Sequence, residues 1–110
     1  MKTVLEAAYN AIDAKQGENI KIIDIRSANP LVDYFVIASA NNCRKANAII
    51  DEIYEECDKE GIDYRPNTNS KDSGWMLADL GEVVCHIFVG EERIRYNLEG
   101  LWKDLPEIKM

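Results

Sequence analysis

Residues 74–88 read GWMLADLGEVVCHIF, two apolar runs joined at Gly81-Glu82. A glycine in the first of two central positions suits a type II′ turn, whose twist matches that of the strands it joins. The segment is therefore read as a β-hairpin that sets Leu80 opposite Val83, Asp79 opposite Val84, Leu77 opposite His86 and Trp75 opposite Phe88. Side chains alternate across a strand. Met76, Ala78, Leu80, Val83, Cys85 and Ile87 consequently share a wholly apolar face, which must be core. Trp75, Leu77, Asp79, Val84, His86 and Phe88 share a mixed face, where any function of the hairpin would lie.

The rest of the chain supplies the layers such a hairpin needs. Val4, Leu5, Ala8, Ala11 and Ile12 recur at helical spacing, and Gly17 is a natural stop, so a first helix is expected over Lys2–Lys15. The β-branched run from Ile20 to Arg26 reads as a strand. Tyr34–Ser39 is apolar on both faces, as befits a central strand covered on both sides. A helix follows, entered at Asn41 or Asn42, either of which can cap it, and stopped by Gly61. Ala46, Ile49, Ile50, Ile53 and Cys57 form its buried stripe, with Arg44, Lys45, Asp51, Glu52, Glu55 and Glu56 outward. Asp63–Asn67 is expected as a short edge strand carrying Pro66, and residues 68–74 as a mobile polar loop. Beyond the hairpin, Ile94, Leu98, Leu101 and Trp102 lie at helical spacing, but Gly100 weakens a helix by about 1 kcal/mol relative to alanine. Short helical turns packed on the sheet are expected there. The order of elements gives one α/β domain over residues 1–110, a two- or three-layer sandwich around a mixed sheet of about five strands.

Charge and composition exclude several functions. Twenty acidic against 13 basic residues give a net charge of −7. Nucleic-acid binders gather Lys and Arg against phosphate, so little direct nucleic-acid contact is expected, whereas a basic protein partner would be attracted. No apolar run approaches the ~18 residues of a membrane span, and the N-terminal residues lack the apolar block of a signal peptide. A cytoplasmic protein without membrane contact is expected, its Cys43, Cys57 and Cys85 reduced and with no CxxC pair among them.

Catalytic constellations are hard to assemble. His86, the single histidine, is a diagonal neighbour of Asp79, close enough for a hydrogen bond. Cys85 points to the opposite face and so can neither act beside His86 nor share a metal with it. His86 is expected to be structural or on the surface, not a catalyst. Neither GxxxxGK[ST] nor GxGxxG occurs, and Asp24, Asp33 and Asp79 form no DxD or DxE pair. No catalytic residue, metal or cofactor is expected. Trp75 and Tyr96 are the residues suited to anchor a protein contact, with apolar surface near Leu80; otherwise they cover the sheet.

Three blocks carry a resemblance: DYFVIAS with an arginine in the next helix, GWMLADLGEVVCHIF, and EERIRYNLEGLW. In this order and spacing they resemble the Iojap family of ribosomal silencing factors, also called RsfS, from about Asp24 to Trp102. The resemblance implies a nucleotidyltransferase-like α/β fold without catalytic carboxylates, not an enzyme. It implies binding to the large ribosomal subunit through its ribosomal protein number fourteen, a steric block to joining of the small subunit, and repression of translation. Family interface positions fall on Trp75, Asp79, Leu80 and Tyr96, with Glu91, Glu92 and Arg93 nearby, and isolated members are often homodimers. The chain departs from the family pattern at Ala40–Cys43, usually Gly then Ser or Thr, and at Thr68-Asn69, usually Glu-Gly. The alternative implied by the fold is a nucleotidyltransferase-like enzyme acting on a phosphate-containing substrate through Asp33, Asp79 and His86.

Overall fold

The computed structural model describes residues 3–66 and 68–109. Helix α1 spans Val4–Ala14 and is entered by a capping box that the pattern above did not anticipate. Thr3 Oγ1 accepts from the Glu6 amide and Glu6 Oε1 accepts from the Thr3 amide, both at 3.1 Å, so two orphan donors are satisfied at once. The expected start at Lys2 lies outside the described residues. Past the C-cap Lys15 the chain turns back over α1 at Gly17, where a Cβ would collide with Ile12 Cγ2.

Strand β1, Glu18–Asp24, pairs antiparallel with β2, Tyr34–Ala40. It ends earlier than expected because Asp24 turns its carboxylate onto Arg26, accepting from the Arg26 amide at 3.1 Å and its guanidinium at 2.7 Å. Helix α2, Cys43–Glu60, is capped by Asn42, whose Oδ1 accepts from the Lys45 amide at 2.8 Å. It ends on Gly61 in the left-handed conformation, φ 69°, a geometry that glycine adopts without a Cβ penalty. The five stripe residues named for α2 are all buried.

Strands β3, Trp75–Asp79, and β4, Val83–Val89, form the hairpin in the expected register, from Trp75 opposite Phe88 to Asp79 opposite Val84. Of its two central residues only Gly81 has a positive φ, 83°, as a II′ turn requires. Strand β4 also pairs in parallel with β2. Two short helices follow, α3 (Glu92–Tyr96) and α4 (Leu98–Leu101), broken at Asn97 with φ 48°. Strand β5, Glu107–Ile108, then adds antiparallel to β1. The sheet order is β3-β4-β2-β1-β5.

Five strands and a mixed sheet match the expectation, but the fifth strand is β5 and not residues 63–67. The described part of that segment, 63–66, has no ladder; the Arg65 amide alone reaches the Asp79 carbonyl, at 3.0 Å. Its expected last residue, Asn67, lies outside the described residues.

Strand alternation sorts the sheet into two cores. Helices α1 and α2 cover one face, packing on Ile22, Val36, Ala38, Met76, Val83, Cys85 and Ile87. On the other, Leu98 of α4 with Trp102 and Leu105 covers Ile23, Ile25, Ile37 and Phe88, giving a thin third layer. No helix among the described residues is long and apolar enough to cross a membrane. Because the Asn42 side chain makes the cap and Asn41 makes none, Asn42→Ala should cost about 1 kcal/mol and Asn41→Ala far less, as read from urea unfolding midpoints.

Candidate protein-docking surface

The thin third layer stops short of the hairpin's outer edge, and what it leaves open is apolar. Leu77 is 42% exposed and Tyr96 48% exposed, with Trp75 and Val84 half-buried beside them. Trp75 is the centre of an aromatic group: its ring lies 4.8 Å from Tyr96, 5.1 Å from Phe88 and 5.9 Å from His86. Its inner side therefore seals the second core while the remainder faces out. Ile94, 80% exposed on α3, lines a separate cleft with Asn19, Arg93, Asn97 and Glu99.

Strand β3 is a sheet edge, yet its outward backbone groups are occupied by the preceding loop. The Asn69 side-chain amide donates to the Leu77 carbonyl at 2.7 Å and accepts from the Leu77 amide at 3.1 Å, imitating a neighbouring strand. Ser73 Oγ does the same for Trp75, at 2.8 and 3.2 Å, and Asn47 of α2 donates to the Lys71 carbonyl at 3.0 Å. The loop expected to be mobile is thus tied down at three points, and its edge is blunted against stray strand pairing. A cleft of about 400 Å³ lies beyond it, lined by Tyr54, Arg65, Asn69, Leu77 and Asp79 among others.

The residues singled out from the sequence do not all reach this surface. Asp79 lies at its rim, bound to Arg65 Nε at 3.0 Å and to the Gly81 amide at 2.9 Å. Glu91 is exposed; Glu92 is partly covered, 3.5 Å from Arg95. Leu80, 3% exposed, belongs to the helix-side core and has almost no side chain to offer a partner. Arg93 turns inward. Its guanidinium donates to Glu99 Oε1 at 2.7 Å, to the Asn19 carbonyl at 2.7 Å and to Ser39 Oγ at 3.0 Å, pinning α3 to the ends of β1 and β2. That contact with Arg93 holds the Glu99 carboxyl below its usual range.

Of the two placements expected of His86, structural or on the surface, the structure shows the first. The residue is 5% exposed, in the second core and not on a wet face. The hydrogen bond to Asp79 does not form; instead Nδ1 accepts from Trp75 Nε1 at 3.1 Å. Its Nε2, like the Trp102 Nε1, is buried with no hydrogen-bond partner. Both rings stand steeply against Phe35, with centroids at 4.5 and 6.1 Å, a setting in which a ring N–H has at best a weak π acceptor. Alternation alone could not show this burial, because the cover comes from residues 98–105, distant in sequence.

Two of the three groups of the enzymatic alternative through Asp33, Asp79 and His86 are already engaged. His86 is sealed against Trp75 and Asp79 is paired with Arg65. Among the described residues no cluster of three or more His, Cys, Asp or Glu is placed to hold a metal. Cys85 is fully buried, and burial pushes its thiol pKa up.

Fold and surface together define an open-sheet α/β protein whose most distinctive exposed feature is an aromatic patch. Comparison with known proteins gives the family. The whole chain, residues 1–110, matches the model of "Ribosomal silencing factor during starvation". It is 38% identical over 105 residues to the ribosomal silencing factor RsfS of Bacillus subtilis, covering 96% of this chain and 89% of that one. The RsfS of Halalkalibacterium halodurans is 33% identical over 107 residues, covering 97% and 92%. A crystal structure of a Bacillus halodurans protein superposes with a TM-score of 0.85 at 32% identity, covering 97% of both chains. The chain belongs to the ribosomal silencing factor family.

The burial of His86 sets a pH dependence. Desolvation disfavours the imidazolium and pushes the pKa down to about 4 from an ordinary 6.5. Between those values the unfolded chain holds a proton that the folded chain does not, so stability falls as pH drops through the window. From pH 7.5 to pH 5 the loss due to His86 should be about 2 kcal/mol. Carboxylates held low by Arg partners, Asp24 and Glu99, act in the same direction. The difference between wild type and His86→Asn in urea midpoints at the two pH values isolates the histidine contribution.

Proposed function

We propose that the protein silences translation by docking on the large ribosomal subunit, against its ribosomal protein number fourteen, and sterically blocking the small subunit. The observation that carries this reading is the uncovered aromatic patch of Trp75, Leu77 and Tyr96 in a member of this family. The block requires occupancy alone. It consumes no substrate and needs no cofactor or metal, and the protein acts in the cytoplasm. In isolation it forms a homodimer.

The contact is anchored by Trp75 and Tyr96, with Asp79, Glu91 and Glu92 at the rim. Leu80 and Arg93 support it from beneath, one through the core and the other by holding α3. A net charge of −7 favours a basic ribosomal protein over phosphate-lined rRNA, and rim charges act on association rate and salt dependence more than on dissociation.

A domain of this size offers a contact of roughly 800 Å² on its side, in which a few aromatic anchors each contribute about 2 kcal/mol or more. Trp75→Ala should therefore weaken co-sedimentation with free large subunits by about 30-fold or more, with circular dichroism as the folding control. Translation should be inhibited by stoichiometric protein and be insensitive to chelators. A folded Trp75→Ala variant that binds as wild type, or full inhibition by trace protein, would contradict the reading.

A further inference from the structure

We propose that His86 is a positioning residue for the docking surface: its Nδ1 holds the one polar atom of the Trp75 side chain, so that the indole presents its carbon surface to a partner in a single orientation. This rests on the docking reading above and goes beyond it, because it assigns a task to a residue that no partner can reach.

The geometry supplies the argument. Leu77 faces His86 and Trp75 faces Phe88 across the hairpin, so Trp75 and His86 are diagonal neighbours on one face, within reach of long side chains. The rings of Phe88 and Tyr96 pack against the indole. Such contacts are non-directional enough that a flipped indole could still satisfy them. The bond from Nε1 to Nδ1 at 3.1 Å is directional and fixes which edge lies inward. An indole has one donor and no acceptor, and a neutral imidazole has one acceptor nitrogen. The bond therefore specifies both the Trp75 rotamer and the His86 tautomer, with the proton on Nε2.

The cost of this arrangement points the same way. Nε2 is buried and has no hydrogen-bond partner, a cost that an aliphatic side chain at this position would not carry. Packing alone does not call for histidine here; an acceptor aimed at Trp75 does. A pre-set anchor loses less freedom when it docks, which raises affinity without any added contact. It also defines the complementary group. With Nε1 turned inward, the partner meets Trp75 through an apolar side chain or a cation over the ring, and no hydrogen-bond acceptor is needed.

The test uses the ¹⁵N-labelled full chain and isolated large subunits. In wild type, the imidazole nitrogen spectrum should show Nδ1 unprotonated and Nε2 protonated; a proton on Nδ1 would end the proposal without any variant. His86→Leu should shift the Trp75 indole resonance, identified against Trp102→Phe, and weaken binding by about three- to ten-fold, the effect of one net hydrogen bond. His86→Asn sets an amide oxygen near the place of Nδ1 and should recover most of the affinity. In a Trp75→Phe background, His86→Leu should have no further effect; an equal loss there would mean that His86 acts on something other than Trp75. If folded His86→Leu binds as wild type while Trp75→Ala does not, positioning fails and the docking surface stands. If Trp75→Ala itself binds normally, both fall.

Discussion

A pair of parallel strands that is apolar on both faces has to be covered twice. β2 and β4 form that pair here, and the two covers are unequal. On one face two full helices bury Val36, Ala38, Val83, Cys85 and Ile87. On the other, a short segment after β4 must suffice, with Leu98, Trp102 and Leu105 laid over Ile37 and Phe88. Arg93 steadies this thin cover, because its guanidinium donates to Asn19 of β1, to Ser39 of β2 and to Glu99 of α4. Where the cover ends, Trp75, Leu77 and Tyr96 remain, and the function proposed for this family member follows from that shortfall.

Local chemistry made much of this legible. A two-residue turn and strict alternation specify a hairpin register without knowledge of the rest of the fold, and the helix-side core of β3 and β4 follows from it. The stripe from Ala46 to Cys57 specifies α2 in the same way. What alternation cannot report is the distance and direction of a cover. His86 and Phe88 read as members of a mixed face, yet both are buried by residues that arrive after β4. Leu80 lies on the core face that alternation assigned to it; its place among the interface positions came from the family resemblance alone. Strand β5 is two residues long and is held by β1 and by the bond from the Asp24 amide to the Pro106 carbonyl. So short a segment carries no periodicity to read.

Two polar side chains, Asn69 and Ser73, have roles that no periodic pattern encodes. Asn69 occupies both backbone groups of Leu77 and so closes a sheet edge that would otherwise invite pairing. Its amide supplies the donor and acceptor together. Charge is also unevenly placed. Over Cys43–Glu60, six acidic residues stand against three basic ones, and α2 covers the sheet face opposite the aromatic patch.

Which face meets the ribosome is read directly by a cryo-electron microscopy map of the protein on the free large subunit. The outer face of β3 and β4, with α3, should abut a ribosomal protein, Trp75 should be buried with its Nε1 still on His86, and α1 and α2 should face solvent. A map in which the α1–α2 face makes the contact, or in which rRNA lies against Trp75, would contradict this placement.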